Sequence, residues 1–330
     1  MRILKETQFR NYLQERKLTT EEANFAVNSI KEVEDYLEKK KMSFETAGLD
    51  TLKEYISLLI EEEKNSMDRL GAIARYCNIT KKDDYYVYLV SILGARNVLS
   101  DIGERVALIS GEVVQHKVFQ GFELPPLGAP PENYPQITKI IMDRLKAELS
   151  NETCRKILTW NYHRVPTESF KEKKDRFEKS DSIDGYLKNE HKMFVDELKK
   201  FMNEGRIWYE QEISPEVLEF VWGNQEICTG VRRGNRIYLT KIPYAPKQYL
   251  EEKDFTLKRY YACHCPLVRS ALRNGKIEIS HMFCYCSAGY EKLGFDVIFE
   301  ESVEVELLES VLKGDSQCRF AIRIPRGKMK

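Results

Sequence analysis

The sequence predicts an α+β protein: a helical N-terminal bundle, then a mixed α/β C-terminal domain with a small antiparallel sheet. Three observations carry this. Apolar residues through 1–110 recur at helical spacing. Four prolines crowd the stretch 124–131, and such a stretch does not continue a helix. Beyond residue 226 the apolar period shortens to two, in 236–242 and again in 318–324. The expected division is a bundle over 1–123, a proline-rich linker over 124–135, and a Cys-rich ligand- or metal-binding domain over 136–330.

Taken in order, Thr19 and Glu22 form a capping box that opens a helix carrying Ala26, Val27, Ile30, Val33 and Leu37. Asp50 is the expected cap of the next helix, with Leu52, Tyr55, Ile56 and Leu59 as its stripe. Ser66 caps a third, bearing Leu70, Ile73 and Cys77. Apolar segments at 85–93 and 98–114 complete a bundle of short amphipathic helices. Past the prolines, Ile137, Ile140, Ile141 and Leu145 share one helical face. Ser150 starts a helix through Trp160, 167–181 reads as a charged exposed segment, and 182–203 is again helical. Ser214-Pro215-Glu216 gives a helix start with Ser at the N-cap and Pro in the first turn, and Gly223 a stop. Arg232-Arg233-Gly234-Asn235 joins two strands as a hairpin. Val303, Val305 and Leu307 pair with Cys318, Phe320, Ile322 and Ile324 through a turn at Gly314-Asp315. Helices are expected at 266–273 and 287–292 between the two strand regions.

Lysine and arginine number 52, aspartate and glutamate also 52. A zero net charge removes the bulk electrostatic argument for a nucleic-acid partner. The hydrophobic fraction of 42% is enough for a sizeable core and excludes wholesale disorder. No apolar run reaches the ~18 residues of a membrane span, and the charged start is unlike a signal peptide. A cytoplasmic protein without membrane contact is expected, with its thiols reduced.

Five of the eight cysteines follow residue 262: Cys263 and Cys265, Cys284 and Cys286, and Cys318. Two Cys-x-Cys pairs suggest a four-thiolate zinc site made by Cys263, Cys265, Cys284 and Cys286, since zinc favours a tetrahedron of soft ligands. In a flat strand, residues i and i+2 stand ~6.5–7 Å apart, so chelation needs a bend. Pro266 and Ser287-Ala288-Gly289 permit one. Buried reduced thiols, or a redox or nucleophilic role, are the alternatives. His264 is a ligand or base, or points away from its neighbours as strand alternation requires. Tyr285 and Tyr290, with Phe283 and Phe295, line an apolar ligand pocket or form ordinary core. Arg319 and Arg323, on the wet face of the last strand, are candidate ligand-binding residues for a carboxylate. His163 beside Arg164 reads as a surface or capping group. Gly-x-Gly-x-x-Gly, P-loop, Gly-x-Ser-x-Gly and His-Glu-x-x-His motifs are absent, and no catalytic residue is assigned.

Two resemblances add to this. Phe9-Arg10-Asn11-Tyr12-Leu13, Leu18-Thr19 and the two helices that follow resemble the core-binding (SAM-like) helical domain of phage-type tyrosine recombinases, a four-helix DNA clamp. The His-x-x-Arg of the recombinase catalytic domain is missing from the chain, and residues 1–100 carry 16 basic against 17 acidic side chains, whereas a clamp is basic. Cys284-Tyr285-Cys286-Ser287-Ala288-Gly289-Tyr290, Val303-Glu304-Val305, and the run from Gly314-Asp315 through Cys318-Arg319-Phe320 resemble the end of vinyl-reductase-type ligand-binding domains. They are also similar to the 2-amino-thiazoline-4-carboxylate hydrolase-like family. The first resemblance implies a small α/β module that binds small molecules, sometimes with cysteine-bound metal; the second implies hydrolysis of a C–N bond. The doubled Cys-x-Cys pairs depart from the simpler pattern of the vinyl-reductase-type domains. The leading expectation is a ligand- or metal-responsive binding protein with a partner-binding helical half. A small-molecule C–N hydrolase with Cys284 or Cys286 as nucleophile, and a DNA-binding protein, are the alternatives.

Overall fold

The structure, a computed structural model, describes residues 5–328. It is α+β, with sixteen α-helices among the described residues and one four-stranded antiparallel sheet. The first five helices are α1 (Glu6–Glu15), α2 (Thr20–Lys39), α3 (Leu49–Glu61), α4 (Met67–Thr80) and α5 (Asp83–Gly94). Then come α6 (Val98–Ser110), α7 (Glu112–Phe119), α8 (Pro135–Glu148), α9 (Asn151–Leu158), α10 (Lys171–Glu178), α11 (Ile183–Asn203) and α12 (Pro215–Trp222). Strands β1 (Val231–Arg233) and β2 (Arg236–Thr240) precede α13 (Pro246–Glu251), α14 (Phe255–Ala262), α15 (Arg269–Asn274) and α16 (Tyr285–Phe299). Strands β3 (Val305–Glu309) and β4 (Arg319–Arg323) close the sheet.

The chain makes two compact units, and their boundary is not the expected one. The first unit runs to Arg96 and takes in Pro125–Asn133; the second takes Asn97–Leu124 and the chain from Tyr134 onward. The proline-rich stretch is therefore no linker. It packs on the first unit: Asn65 donates to the Leu127 carbonyl at 2.8 Å, and Gly128, at φ +88°, lies against Ile56 and Leu70. Only glycine adopts that backbone without strain while leaving room for both side chains.

In the first unit, the Thr19 hydroxyl accepts from the Glu22 N–H, and the Glu22 carboxylate accepts from the Thr19 N–H at 2.7 Å. The apolar faces of α1 to α5 meet around Tyr76, which packs edge-on with Phe9 and Phe44. Gly48, rather than Asp50, holds the N-cap of α3; Asp50 stands in the first turn, where its charge suits the helix dipole.

In the second unit, the segment 98–114 is two helices rather than one, because Gly111 at φ +89° breaks it. The charged segment 167–181 contains α10, anchored by buried Phe177 and by Arg176 on Glu190 at 2.6 and 3.0 Å. Ser150, Ser182 and Ser214 cap α9, α11 and α12. Strand order is β1-β2-β4-β3. Leu239 pairs with Phe320 and Ile237 with Ile322. These residues form the inner face of the sheet, and Ile237, Leu239 and Ile322 pack with Phe295, Ile298 and Phe299 of α16.

Candidate functional site

The site forms where β2 and β4 meet the start of α16. The Lys241 N–H donates to the Cys318 carbonyl at 3.0 Å, continuing the β2–β4 ladder by one residue. Ser287, Tyr290 and Glu291 stand at i, i+3 and i+4 of α16, on one helical face. Lys241 Nζ donates to Ser287 Oγ at 3.2 Å and pairs with Glu291 at 3.2 Å. It lies 5.5 Å from the centre of the Tyr290 ring. Both partners are largely withdrawn from water, with 17% and 14% of their side-chain surface exposed. Burial is the largest single influence on Lys241 and acts to lower its pKa, but the charge of Glu291, the influence of Cys318 and Tyr290 and the hydrogen bond to Glu291 together outweigh it and hold the value well above the ordinary range. Lys241 is therefore a fixed cation.

α16 can approach this closely because residue 289 is glycine. A Cβ there would lie 2.4 Å from the Trp160 nitrogen and 2.7 Å from its carbonyl oxygen. Tyr290, the next residue, is 41% exposed and meets His163 edge-on at 5.4 Å. His163 is also exposed; burial of its surroundings, then the charge of Lys241, lowers its pKa. An aromatic rim thus overlies a withdrawn ion pair.

Further groups feel the charge of Lys241. Burial raises the Glu210 carboxyl to about 7, against the opposing charges of Arg269 and Lys241 and a hydrogen bond to Tyr244. The Arg269 guanidinium carbon lies over the Tyr244 ring, 3.7 Å from its centre. His264 Nε2 is 2.6 Å from the Ile242 carbonyl, which only accepts, so this nitrogen carries the proton. Burial and the charge of Lys241 lower its pKa to about 3, and the ring is neutral.

The cysteine pairs are not strand residues. Cys263 and Cys265 occupy the connection between α14 and α15, while Cys284 ends a 3-10 turn and Cys286 lies in the first turn of α16. The reason is the helical spacing of buried Tyr285, Ala288, Lys292 and Phe295, which overrides the strand reading. Alternation therefore does not orient His264. Cys318 bears electrostatically on Cys263 and Cys284, and Cys263 and Cys286 bear on Cys265. Burial raises every one of these thiols, Cys263 and Cys286 to about 12, so they are protonated at neutral pH. Zinc needs thiolates in a tetrahedron. Among the described residues no group of three or more His, Cys, Asp or Glu is arranged to hold a metal ion.

The other sequence candidates scatter. Tyr285 is buried on α16, whereas Tyr290 joins the site. Arg319 grips Glu226 with two bonds, at 2.7 and 3.1 Å, and reaches Glu309 at 3.4 Å. Arg323 pairs with exposed Glu304 at 3.0 Å. Both arginines are thus engaged by carboxylates of the chain itself. Lys241, Glu291 and Glu210 escape a reading of the sequence, because Lys241 pairs with a residue fifty positions on. The one available signal is a lysine directly after the inward-facing end of a strand.

Residues 245–329 match a family of unknown function (DUF6144). That stretch supplies α16, β3, β4 and the late cysteines, while Lys241 and Glu210 precede it. No curated protein matches the chain, and no solved structure does. No helix among the described residues is long and apolar enough to cross a membrane.

Proposed function

We propose that the chain is a cytoplasmic small-molecule-binding protein whose ligand is taken by the second unit at Lys241, Glu291 and Tyr290. One observation carries this reading: a withdrawn lysine–glutamate pair with unspent hydrogen-bonding capacity under an exposed aromatic rim. Among the described residues, Lys241 meets two acceptors with its three N–H donors, and Glu291 accepts from Lys241 alone. Few convergent polar groups beside aromatic surface are the ordinary make-up of a ligand site. Neutral thiols around it suit a passive wall. They weigh against Cys284 or Cys286 as the nucleophile of a C–N hydrolase, because attack requires the thiolate. A thermal-shift screen of a small-molecule library tests the reading, run on the wild type, Lys241→Met and Tyr290→Ala. Hits whose stabilisation disappears in both variants support it; hits indifferent to both refute it.

A second reading, zinc held by Cys263, Cys265, Cys284 and Cys286, draws on the electrostatic influence of Cys263 and Cys286 on Cys265. Elemental analysis of the purified protein decides it: one zinc per chain supports the site, and none refutes it. For the helical unit we propose a protein partner. The balanced charge of residues 1–100 argues against DNA, and steeply salt-dependent binding of the full chain to random duplex would reverse that preference.

A further inference from the structure

We infer that Arg105 and Trp160 form a binding site for an oxyanion, a carboxylate or phosphate group held by the Arg105 guanidinium. This site does not depend on the reading of Lys241. The guanidinium carbon of Arg105, on α6, lies 3.8 Å from the centre of the Trp160 ring, which is stacking distance. Arg105 is half-buried, and its Nε is withdrawn from water with no hydrogen-bond partner. No carboxylate pairs with it among the described residues. An ordinary surface arginine keeps its head in water. This one is fixed on a ring and partly dehydrated, with no internal acceptor to offset the loss.

A carboxylate stands within one helical turn and is directed elsewhere. Asp101 precedes Arg105 by four residues on α6, the spacing at which Asp and Arg pair. Both Asp101 oxygens instead accept from Arg164, Oδ2 from Nε at 3.1 Å and Oδ1 from Nη2 at 2.9 Å. Arg164 does so at φ +50°, in the left-handed region that disfavours a residue with a Cβ. The loop between Trp160 and Arg164 is tied down at several points. Asn161 donates to the Val165 carbonyl at 2.9 Å and accepts from the Val165 N–H at 3.0 Å. The hydroxyl of buried Tyr162 donates to the Ile157 carbonyl at 2.6 Å. Yet this anchored loop leaves Trp160 52% exposed. The ring covers one face of the guanidinium and fixes its plane, so the order needed to receive a planar oxyanion is already present before the ligand arrives. A cation would be repelled by the same group.

The indole N–H signals of the isotope-labelled full chain provide the test. Trp160→Phe identifies the Trp160 signal among the three tryptophans. Inorganic phosphate and acetate are titrated separately, with sodium chloride holding the ionic strength constant. We expect the Trp160 signal to move saturably at millimolar anion while those of Trp208 and Trp222 stay in place. Arg105→Gln abolishes the movement. Arg105→Lys, which keeps the charge but loses the planar fork, weakens binding about tenfold. Unmoved Trp208 and Trp222 signals in the variants show that the fold is retained; if Arg105→Gln disturbs them, Arg105→Lys carries the comparison. Phosphate binding several-fold more tightly than acetate assigns the site to a phosphate, and acetate binding as tightly or more so assigns it to a carboxylate. No Trp160 movement at tens of millimolar of either anion overturns the inference. So does a movement that never saturates, that Trp208 and Trp222 share, or that persists unchanged in both Arg105 variants.

Discussion

Gly289→Ala is the sharpest test of how the site is assembled. In an exposed helix this change stabilises by about 1 kcal/mol, because alanine restricts the unfolded chain. At 289 the added methyl would lie 2.4 Å from a backbone nitrogen and 2.7 Å from a backbone oxygen of Trp160. Both are backbone atoms, so no rotamer change relieves the contact, and α16 must withdraw by about 1 Å to reach ordinary van der Waals distance. Overpacking of this kind costs roughly 1–3 kcal/mol and sometimes more. The strain exceeds the propensity gain, and a net loss of about 1–2 kcal/mol is expected. Gly71→Ala in α4 is the internal control. Its methyl meets only the end of the Arg75 side chain, at 3.8 Å, so the same substitution should stabilise by about 0.5–1 kcal/mol. All three tryptophans, Trp160, Trp208 and Trp222, belong to the second unit. Urea denaturation followed by tryptophan fluorescence therefore isolates the unit that contains Gly289, and circular dichroism follows Gly71→Ala. A Gly289→Ala protein as stable as the wild type would mean that α16 does not abut Trp160, and the placement of Tyr290 and Glu291 would fall with it.

Lys241→Met should destabilise the second unit by about 2 kcal/mol, below the roughly 3–5 of a fully buried pair because both side chains keep some water. Lys241→Met with Glu291→Leu should cost less than the two single changes added, and additive losses in denaturant would show that the pair is not coupled. The Glu210 carboxyl binds its proton more tightly folded than unfolded, so it withdraws stability as pH rises from its ordinary 4.5 through about 7. Glu210→Gln should remove that decline, and the stability difference between variant and wild type should widen across this window in denaturation at several pH values; a constant difference refutes the shift. Phe320→Ala, at a fully buried position, should cost roughly 3–5 kcal/mol. Arg319→Ala should cost about 1 kcal/mol, as Arg233 still holds Glu226 at 2.7 Å; equal losses in the two variants would overturn the face assignment of β4.

The helical and strand elements were legible where local chemistry determines them. Thr19 with Glu22, and Ser150, Ser182 and Ser214, each place a cap by hydrogen bonds spanning three residues, so the sequence alone carries the information. In β4, alternation predicted Phe320 and Ile322 in the core and Arg323 in water, as found, but it also put Ala321 on the wet face, where Ala321 is buried. The Cys-x-Cys segments were misread because two residues are too few for a period, and the helical stripe continuing to Phe295 decides the conformation. Arg319 looked available for a ligand because its partner Glu226 lies 93 positions away. Lys241 was invisible for a related reason: its significance comes from Glu291, Glu210 and the thiols, none adjacent in sequence.

The return of Pro125–Asn133 to the first unit has a consequence for how the chain is made. During synthesis the five leading helices emerge well before the segment that packs on Ile56 and Leu70. The first unit is incomplete until about residue 133 has left the ribosome, and by then α6 and α7 of the second unit already exist without the sheet they belong to. A fragment ending at Arg96 lacks its closing strap, and one ending at Asn133 drags two orphan helices with it. No single cut releases either unit intact, so any attempt to assign the partner of the helical half to an excised piece must splice out 97–124 rather than truncate.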